Sequence, residues 1–273
     1  MTRRSTHAID VHGDVVIKTY RSWKRDEPGR EWRALQLLTV YAPGLAPAPM
    51  RANLRADAPM VVMSRLPGVA LEATASTPQQ LKSLAEAIVT LHRAIPPQVA
   101  ADLPPRLWHL AETVARVRDQ CARRPPLGPD PMVAEAFTAA ARWVTGPHLD
   151  RLVEEKVRPV LGHGDGNLAN LIWDADTGRV RLVDFEDSGR SDAAMEIADL
   201  VEHISAWTES ELDVTCLLEF CHLSQQEAAR LQVLRRLLAL WWLLALRPGT
   251  ASAARNPPTT LRRQAERLLA LLG

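Results

Sequence analysis

Leu161-Gly-His-Gly-Asp-Gly-Asn-Leu-Ala-Asn-Leu-Ile-Trp173, followed closely by Val180-Arg-Leu-Val-Asp-Phe-Glu186, is the stretch whose reading decides the fold. His163, Asp165 and Asn170 stand in the order H-G-D-x-x-x-x-N, and Asp184 ends a largely apolar run. Phosphoryl transfer needs little covalent chemistry from a protein. It needs a carboxylate that orients the attacking hydroxyl and oxygen ligands that hold Mg²⁺ on the phosphates. Asp165 can supply the first, while Asn170 can return from the same loop to meet a metal and Asp184 can complete its protein ligands. A sparse oxygen set of this kind suits Mg²⁺, which keeps several waters. The flanking segments Leu171-Ile-Trp173 and Val180-Arg-Leu-Val183 enclose the turn-rich Asp174-Ala-Asp-Thr-Gly178, a pattern that predicts a β-hairpin. The hairpin would carry Asp184 back beside Asp165 and Asn170. Two carboxylates about 4 Å apart would repel by about 4 kcal/mol at an effective dielectric near 20, a repulsion that a bound cation offsets.

With these residues in order, the sequence resembles the aminoglycoside phosphotransferase and choline kinase superfamily, relatives of the protein kinases. The Gly after His163, where protein kinases usually carry Arg, favours the small-molecule branch. The resemblance implies that Asp165 is the catalytic base, that Asn170 and Asp184 are the magnesium ligands, and that His163 packs and orients the loop. It also implies an α+β, bilobal, protein-kinase-like fold with a small β-rich N-lobe and a mainly helical C-lobe. Glu186 and Asp187 can touch metal or substrate, or serve only to order the loop.

The first 70 residues fit a small nucleotide-clamping lobe. Ala8-Ile-Asp-Val11 and Val15-Val-Ile-Lys-Thr-Tyr20 are strand-like runs around His12-Gly-Asp14, a tight turn. Lys18 lies in the second run, and the resemblance implies that it reaches the nucleotide α- and β-phosphates. A helix is expected from about Pro28, where Trp32, Leu35 and Leu38 recur at helical spacing. Glu31 on it would pair with Lys18 by the same resemblance, with Glu27 as the competing partner. Met60-Val-Val-Met-Ser-Arg-Leu-Pro-Gly68 reads as a buried strand ending in a break. It resembles the family's hinge, with Met63, Ser64, Arg65 and Leu66 as the nucleotide-base contacts. One departure stands out: 17 residues precede Lys18 and none of them form G-x-G-x-x-G. This leaves nucleotide affinity in question.

The expected division is therefore residues 1–66 as a nucleotide-binding lobe ending in the hinge, and residues 67–273 as a helical lobe with the catalytic loop and acceptor site. Thr77-Pro-Gln-Gln80 is a capping box with Pro at the first helical position, and Leu81, Leu84, Ile88 and Leu91 continue one apolar face. Further helices are expected over 107–121, 132–143, 195–207, from Ser224 towards Leu246, and over 261–272. Asp199 falls where the family has a helical aspartate bracing the catalytic loop. The apolar run Leu237–Leu246 is bracketed by Arg236 and Arg247 and is too short to span a bilayer.

Composition bounds the partners. The chain of 273 residues carries 33 Lys and Arg against 32 Asp and Glu, a net charge of +1, which makes no electrostatic case for nucleic acid. Cys121, Cys216 and Cys221 form no paired framework, and Met1-Thr-Arg-Arg-Ser is not followed by the apolar stretch of a secretory signal. A cytoplasmic setting and no membrane partner are expected. The expected activity is transfer of the γ-phosphate of ATP or GTP, with Mg²⁺, to a hydroxyl of a small molecule. No concentration of carboxylates advertises a polycationic aminoglycoside as acceptor. A protein kinase is disfavoured by H-G-D, by Asp-Phe-Glu in place of Asp-Phe-Gly, and by the lack of a clear activation segment. The alternative is a catalytically degenerate, kinase-like nucleotide sensor or scaffold.

Overall fold

The computed structural model describes residues 7–71, 76–208 and 211–273. The chain first builds β1 (Ala8–His12), β2 (Val15–Thr19), α1 (Glu27–Tyr41), β3 (Pro49–Asn53) and β4 (Met60–Ser64). The strands form an antiparallel sheet in the order β1-β2-β4-β3. β-branched residues dominate β2, which with β4 takes the central places, and β4 buries Val61 and Met63. β3 has no apolar alternation and begins with Pro49. It lies at the sheet edge, where a residue without an N–H is tolerated, and its sequence signal is correspondingly weak. α1 packs on this sheet through buried Ala34, Leu35 and Leu38.

The rest is mainly helical. It runs through β5 (Val69–Ala70), α2 (Pro78–Ala94), α3 (Pro97–Ala101), α4 (Leu110–Arg123), α5 (Pro131–Val144), α6 (His148–Glu154), β6 (Val160–Gly162), β7 (Leu171–Asp174), β8 (Arg179–Leu182) and β9 (Gly189–Ser191). It closes with α7 (Ala193–Glu202), α8 (Ser205–Thr208), α9 (Val214–Cys221), α10 (Gln225–Ala245), α11 (Ala251–Arg255) and α12 (Thr259–Leu272). The expected capping box forms at Thr77 with Gln80, and a second forms at Ser224 with Glu227. The apolar run at the end of α10 is core: Leu237, Leu240 and Leu243 are fully buried against α7 and α12. No helix among the described residues is long and apolar enough to cross a membrane.

Two helices differ from expectation. The one expected from Leu107 begins at Leu110. Its approach is held in a ladder instead, with Arg106 N–H donating to the Arg190 carbonyl at 3.1 Å and Leu107 N–H to the Asp187 carbonyl at 3.0 Å. Trp108 then takes a left-handed conformation, φ 57°. The helix expected over 195–207 breaks at His203, whose Nδ1 accepts from the Ser205 backbone N–H at 3.2 Å. No Pro or Gly marks that break. α6, α9 and the three-residue strands β6 and β9 were not anticipated either, being short and without periodicity.

Candidate active site

The hairpin expected around Asp174–Gly178 is present as β7 and β8, with Leu171 paired to Leu182 and Asp174 to Arg179. It places the two halves of the central motif together. Val183 N–H donates to the Asn170 carbonyl at 2.9 Å, so the residue preceding Asp184 is fastened to Asn170. β6 delivers His163 and Asp165 to the same place. Asp165 Oδ2 accepts from Asn170 Nδ2 at 2.9 Å and Oδ1 from the Asn167 backbone N–H at 3.1 Å. The carboxylate is thus oriented while 35 % of the side chain remains open. His203 adds an imidazole Nε2 at 3.7 Å from Asp165 Oδ1.

His163 bridges the two loop halves. Its Nε2 lies 2.8 Å from the Val183 carbonyl and its Nδ1 lies 2.9 Å from the Asp165 carbonyl, the tautomer deciding which nitrogen donates. Its ring meets Phe185 edge-on at 4.7 Å. Phe185 is fully buried, so the imidazole is held by packing as well as by hydrogen bonds.

The loop also leans on α7. Glu196 Oε2 accepts from Gly164 N–H at 3.1 Å, and Ser205 Oγ accepts from Leu168 N–H at 3.0 Å. The buried Arg106 guanidinium donates to the Gly164 carbonyl at 2.8 Å, to Glu196 at 2.8 Å and to Asp199 at 2.6 Å. Asp199 therefore reaches the loop through Arg106. Burial alone would raise the Glu196 pKa, but the Arg106 charge and hydrogen bonds from Ser191 and Gly164 hold it at about 2. Asp199 is pushed upward by burial, against the pull of Arg106. The loop's tight fit has a steric side. A Cβ on Gly164, at φ +88°, would run into the Asp187 carbonyl.

On the sheet side, Lys18 is 4 % exposed and enclosed by carboxylates. Its ammonium lies 2.7 Å from Glu31 Oε2, 2.7 Å from Glu186 Oε2, and in contact with Asp184 Oδ1. Glu27, the competing partner, pairs instead with Arg25 at 3.2 Å. Burial would lower the Lys18 pKa, yet Glu31, Asp184 and Glu186 hold it well above the usual lysine range. Desolvation pushes Asp184 up to about 7 against the opposing pull of Lys18, with Glu31 and Glu186 adding to the rise. Tyr20 donates its hydroxyl to Glu31.

The four residues expected as a hinge, Met63 to Leu66, differ in their backbone partners. Met63 is inside β4, Ser64 N–H donates to the Ala48 carbonyl at 2.9 Å, and Arg65 N–H donates to the Asp14 carbonyl at 2.7 Å. Backbone carbonyls and the Leu66 N–H, which has no partner among the described residues, are what this segment can offer a base.

Carboxylate oxygens of Glu31, Asp184 and Glu186 lie within 4.8 Å of one another, a hard oxygen set compatible with a divalent cation. Asn170 has its amide nitrogen engaged with Asp165. The residues present fit Mg²⁺. Sequence reasoning missed four contributors: Arg106, Ser205, His203 and His7, whose Nε2 lies 2.8 Å from Glu186 Oε2. Only the break at His203 has a side-chain cause, and no spacing rule announces it.

A profile described as the phosphotransferase enzyme family matches residues 3–234. No curated protein sequence matches the chain significantly. Among solved structures the chain is similar to aminoglycoside 2'-phosphotransferase-IIIa in its GDP complex, at 17% identity and TM-score 0.67, over 100% of this chain and 91% of that one. It is similar to a choline/ethanolamine kinase family protein from Mesorhizobium loti at 16% identity and TM-score 0.65, over 98% of this chain and 85% of that one. Choline kinase LicA from Streptococcus pneumoniae aligns at 15% identity and TM-score 0.60, over 100% and 91%. At such identities these likenesses bear on the fold, which is bilobal and kinase-like, while the profile covers most of the chain. The chain belongs to the phosphotransferase enzyme family.

Proposed function

We propose that the protein transfers the γ-phosphate of ATP or GTP to a hydroxyl of a small molecule in a Mg²⁺-dependent reaction. The observation that carries this reading is the oriented, open carboxylate of Asp165, held by Asn170 and Asn167 beside the Asp184 segment. Asp165 accepts the hydrogen bond of the acceptor hydroxyl and takes its proton as the oxygen attacks the γ-phosphorus. The bond from that phosphorus to the bridging oxygen breaks, and a nucleoside diphosphate leaves. Asn170 and Asp184 would hold Mg²⁺, whose contribution is to neutralise charge on the phosphates. Lys18, positioned by Glu31, binds the phosphates, and His163 keeps the Asp165 loop against the Asp184 segment. Residues 1–66 serve as the nucleotide lobe, Met63 to Leu66 as its hinge, and residues 67–273 as the lobe that carries the acceptor site.

The solved neighbours support the choice of a small-molecule acceptor, since one is a complex of a spectinomycin phosphotransferase with ADP and spectinomycin. The near-zero net charge disfavours a nucleic-acid partner. Asp165→Asn tests the assignment. Turnover should fall by about 10²- to 10⁴-fold, the usual range for loss of a general base, while nucleotide binding persists. The measurement is nucleoside diphosphate release over a panel of aminoglycosides, amino alcohols and sugars. Unchanged turnover would defeat the role of Asp165.

A second reading, a nucleotide sensor or scaffold, is favoured by the enclosure of Lys18 among three carboxylates. Nucleotide binding without transfer to any acceptor of the panel would support it.

A further inference from the structure

We propose that the acceptor is a hydroxyl compound carrying an anionic group, a carboxylate or a phosphate, and that Arg116 receives that group. The inference rests on the reading of Asp165 as the base that takes the acceptor's proton. Two separate chains of contacts lead outward from Asp165 and meet again. On one side His203 Nε2 lies 3.7 Å from Asp165 Oδ1, and the His203 ring meets Trp242 edge-on at 4.9 Å. On the other side the Asp187 carbonyl lies against Gly164, the residue before Asp165. The same carbonyl accepts from Leu107 N–H at 3.0 Å, and Trp108 follows Leu107. Trp108 and Trp241 close the circuit, their ring centres 5.3 Å apart. Trp108, Trp241 and Trp242 are all half-buried, so the circuit is the rim of a mouth beside the open Asp165 carboxylate.

The place of Trp108 on that rim is enforced. Its left-handed backbone, φ 57°, is one that a bulky residue adopts only where its surroundings impose it. Leu107 is fastened to Asp187 ahead of it, and behind it Thr113 Oγ1 donates to the Trp108 carbonyl at 2.9 Å. The strained residue thus sits one place beyond a backbone bonded to the segment that holds Asp184, and its indole reaches Trp241 on α10.

The charges on the rim decide the acceptor class. The Arg116 guanidinium lies over both indoles, 4.3 Å from the Trp108 ring centre and 5.8 Å from that of Trp241, and the Arg25 guanidinium lies 5.7 Å from Trp108. Aromatic faces that would receive a protonated or quaternary amine already hold cations. Arg25 is committed to Glu27 at 3.2 Å, with Asp187 at 3.8 Å. Arg116 is exposed and has no carboxylate within ion-pair distance among the described residues, Glu112 one turn before it on α4 included. A guanidinium held on aromatic rings keeps its N–H edge for a planar carboxylate or a phosphate. Of the two carboxylates at the mouth, Asp165 serves the hydroxyl and Asp187 faces Arg25. The acceptor then lies with its hydroxyl at Asp165, its carbon frame along the indoles and its anionic group at Arg116.

Steady-state phosphorylation with Mg²⁺ and either ATP or GTP tests this on anionic, cationic and neutral acceptors. Glycerate and glycerol phosphate represent the first set, choline, ethanolamine and kanamycin the second, and uncharged sugars the third. The anionic set should give the highest kcat/KM, and its two members tell a carboxylate from a phosphate. Arg116→Ala should raise the KM of the preferred anionic acceptor by about tenfold or more, the worth of a hydrogen bond to a charged group, with kcat and the nucleotide KM nearly unchanged. Arg116→Lys, which keeps the charge and loses the fork, should recover part of that loss. Preference of the parent for a cationic or neutral acceptor would overturn the inference and leave phosphoryl transfer standing. An anionic acceptor whose KM is the same in Arg116→Ala would overturn the role of Arg116. A parent that phosphorylates nothing in any set would remove the transferase reading itself, and this inference with it.

Discussion

At the scale of single residues, the site is built from carboxylates whose charges are set by what faces them. Glu196 is the clearest case, because it is 8 % exposed and receives both the Arg106 guanidinium and the Gly164 N–H. Its pKa in the folded protein, about 2, lies below the ordinary value of 4.5. The stabilisation from that shift is fully present above pH 4.5 and is lost as pH falls towards 2. Urea denaturation should find Glu196→Gln less stable than the parent by about 3 kcal/mol at neutral pH, with the difference shrinking through that acid window. A difference that stays constant with pH would contradict the ionised pair. That Lys18 meets Glu31 and that Asp165 meets Asn170 was legible from motif order and the family resemblance. Arg106 was not, since a Pro-Pro-Arg in a loop has no periodicity and its partners lie about 60 to 90 residues away in sequence. His7 was hidden for the same reason, its partner Glu186 being on the far lobe.

At the scale of elements, the loop of residues 163–170 is fastened between β6, the β7–β8 hairpin and α7. Gly164 has the left-handed conformation, φ +88°, and its α-carbon lies against the Asp187 backbone. A side chain there is strained by its dihedral and blocked by a carbonyl that cannot rotate away. Gly164→Ala should shift the loop and lower turnover by about 100-fold, the cost of a misplacement near 1 Å, with nucleotide affinity retained. Steady-state turnover beside calorimetry checks this, and unaltered turnover would show that the loop has slack. The hairpin and capped helices were readable because alternation, turn residues and capping boxes are local signals. The break at His203 was not. No spacing rule announces it, and its consequence is tertiary: it sets Ser205 where its hydroxyl accepts from Leu168 N–H. β6 and β9 are likewise pairings of three residues each, defined only by each other.

At the scale of the whole molecule, two lobes meet over one charged cleft. Arg30 on α1 donates to the carbonyls of Pro105 and Ser188 at 2.7 and 2.8 Å, and Leu182 N–H donates to the Leu45 carbonyl at 2.9 Å. These contacts tie the sheet lobe to Pro105, Ser188 and Leu182, so Lys18 on β2 and Asp184 after β8 face each other. The bilobal architecture was legible because a β-rich beginning and a helical remainder meet at the central motif. The account's central claim is that this cleft binds a nucleotide together with a metal held through Asp184. The most direct test is calorimetric binding of ATP and GTP with and without Mg²⁺, comparing the parent with Asp184→Asn. The account predicts metal-dependent binding by the parent, weakened by about tenfold or more in the variant, as expected for loss of a charged ligand. Equal, metal-independent binding by both proteins would contradict it.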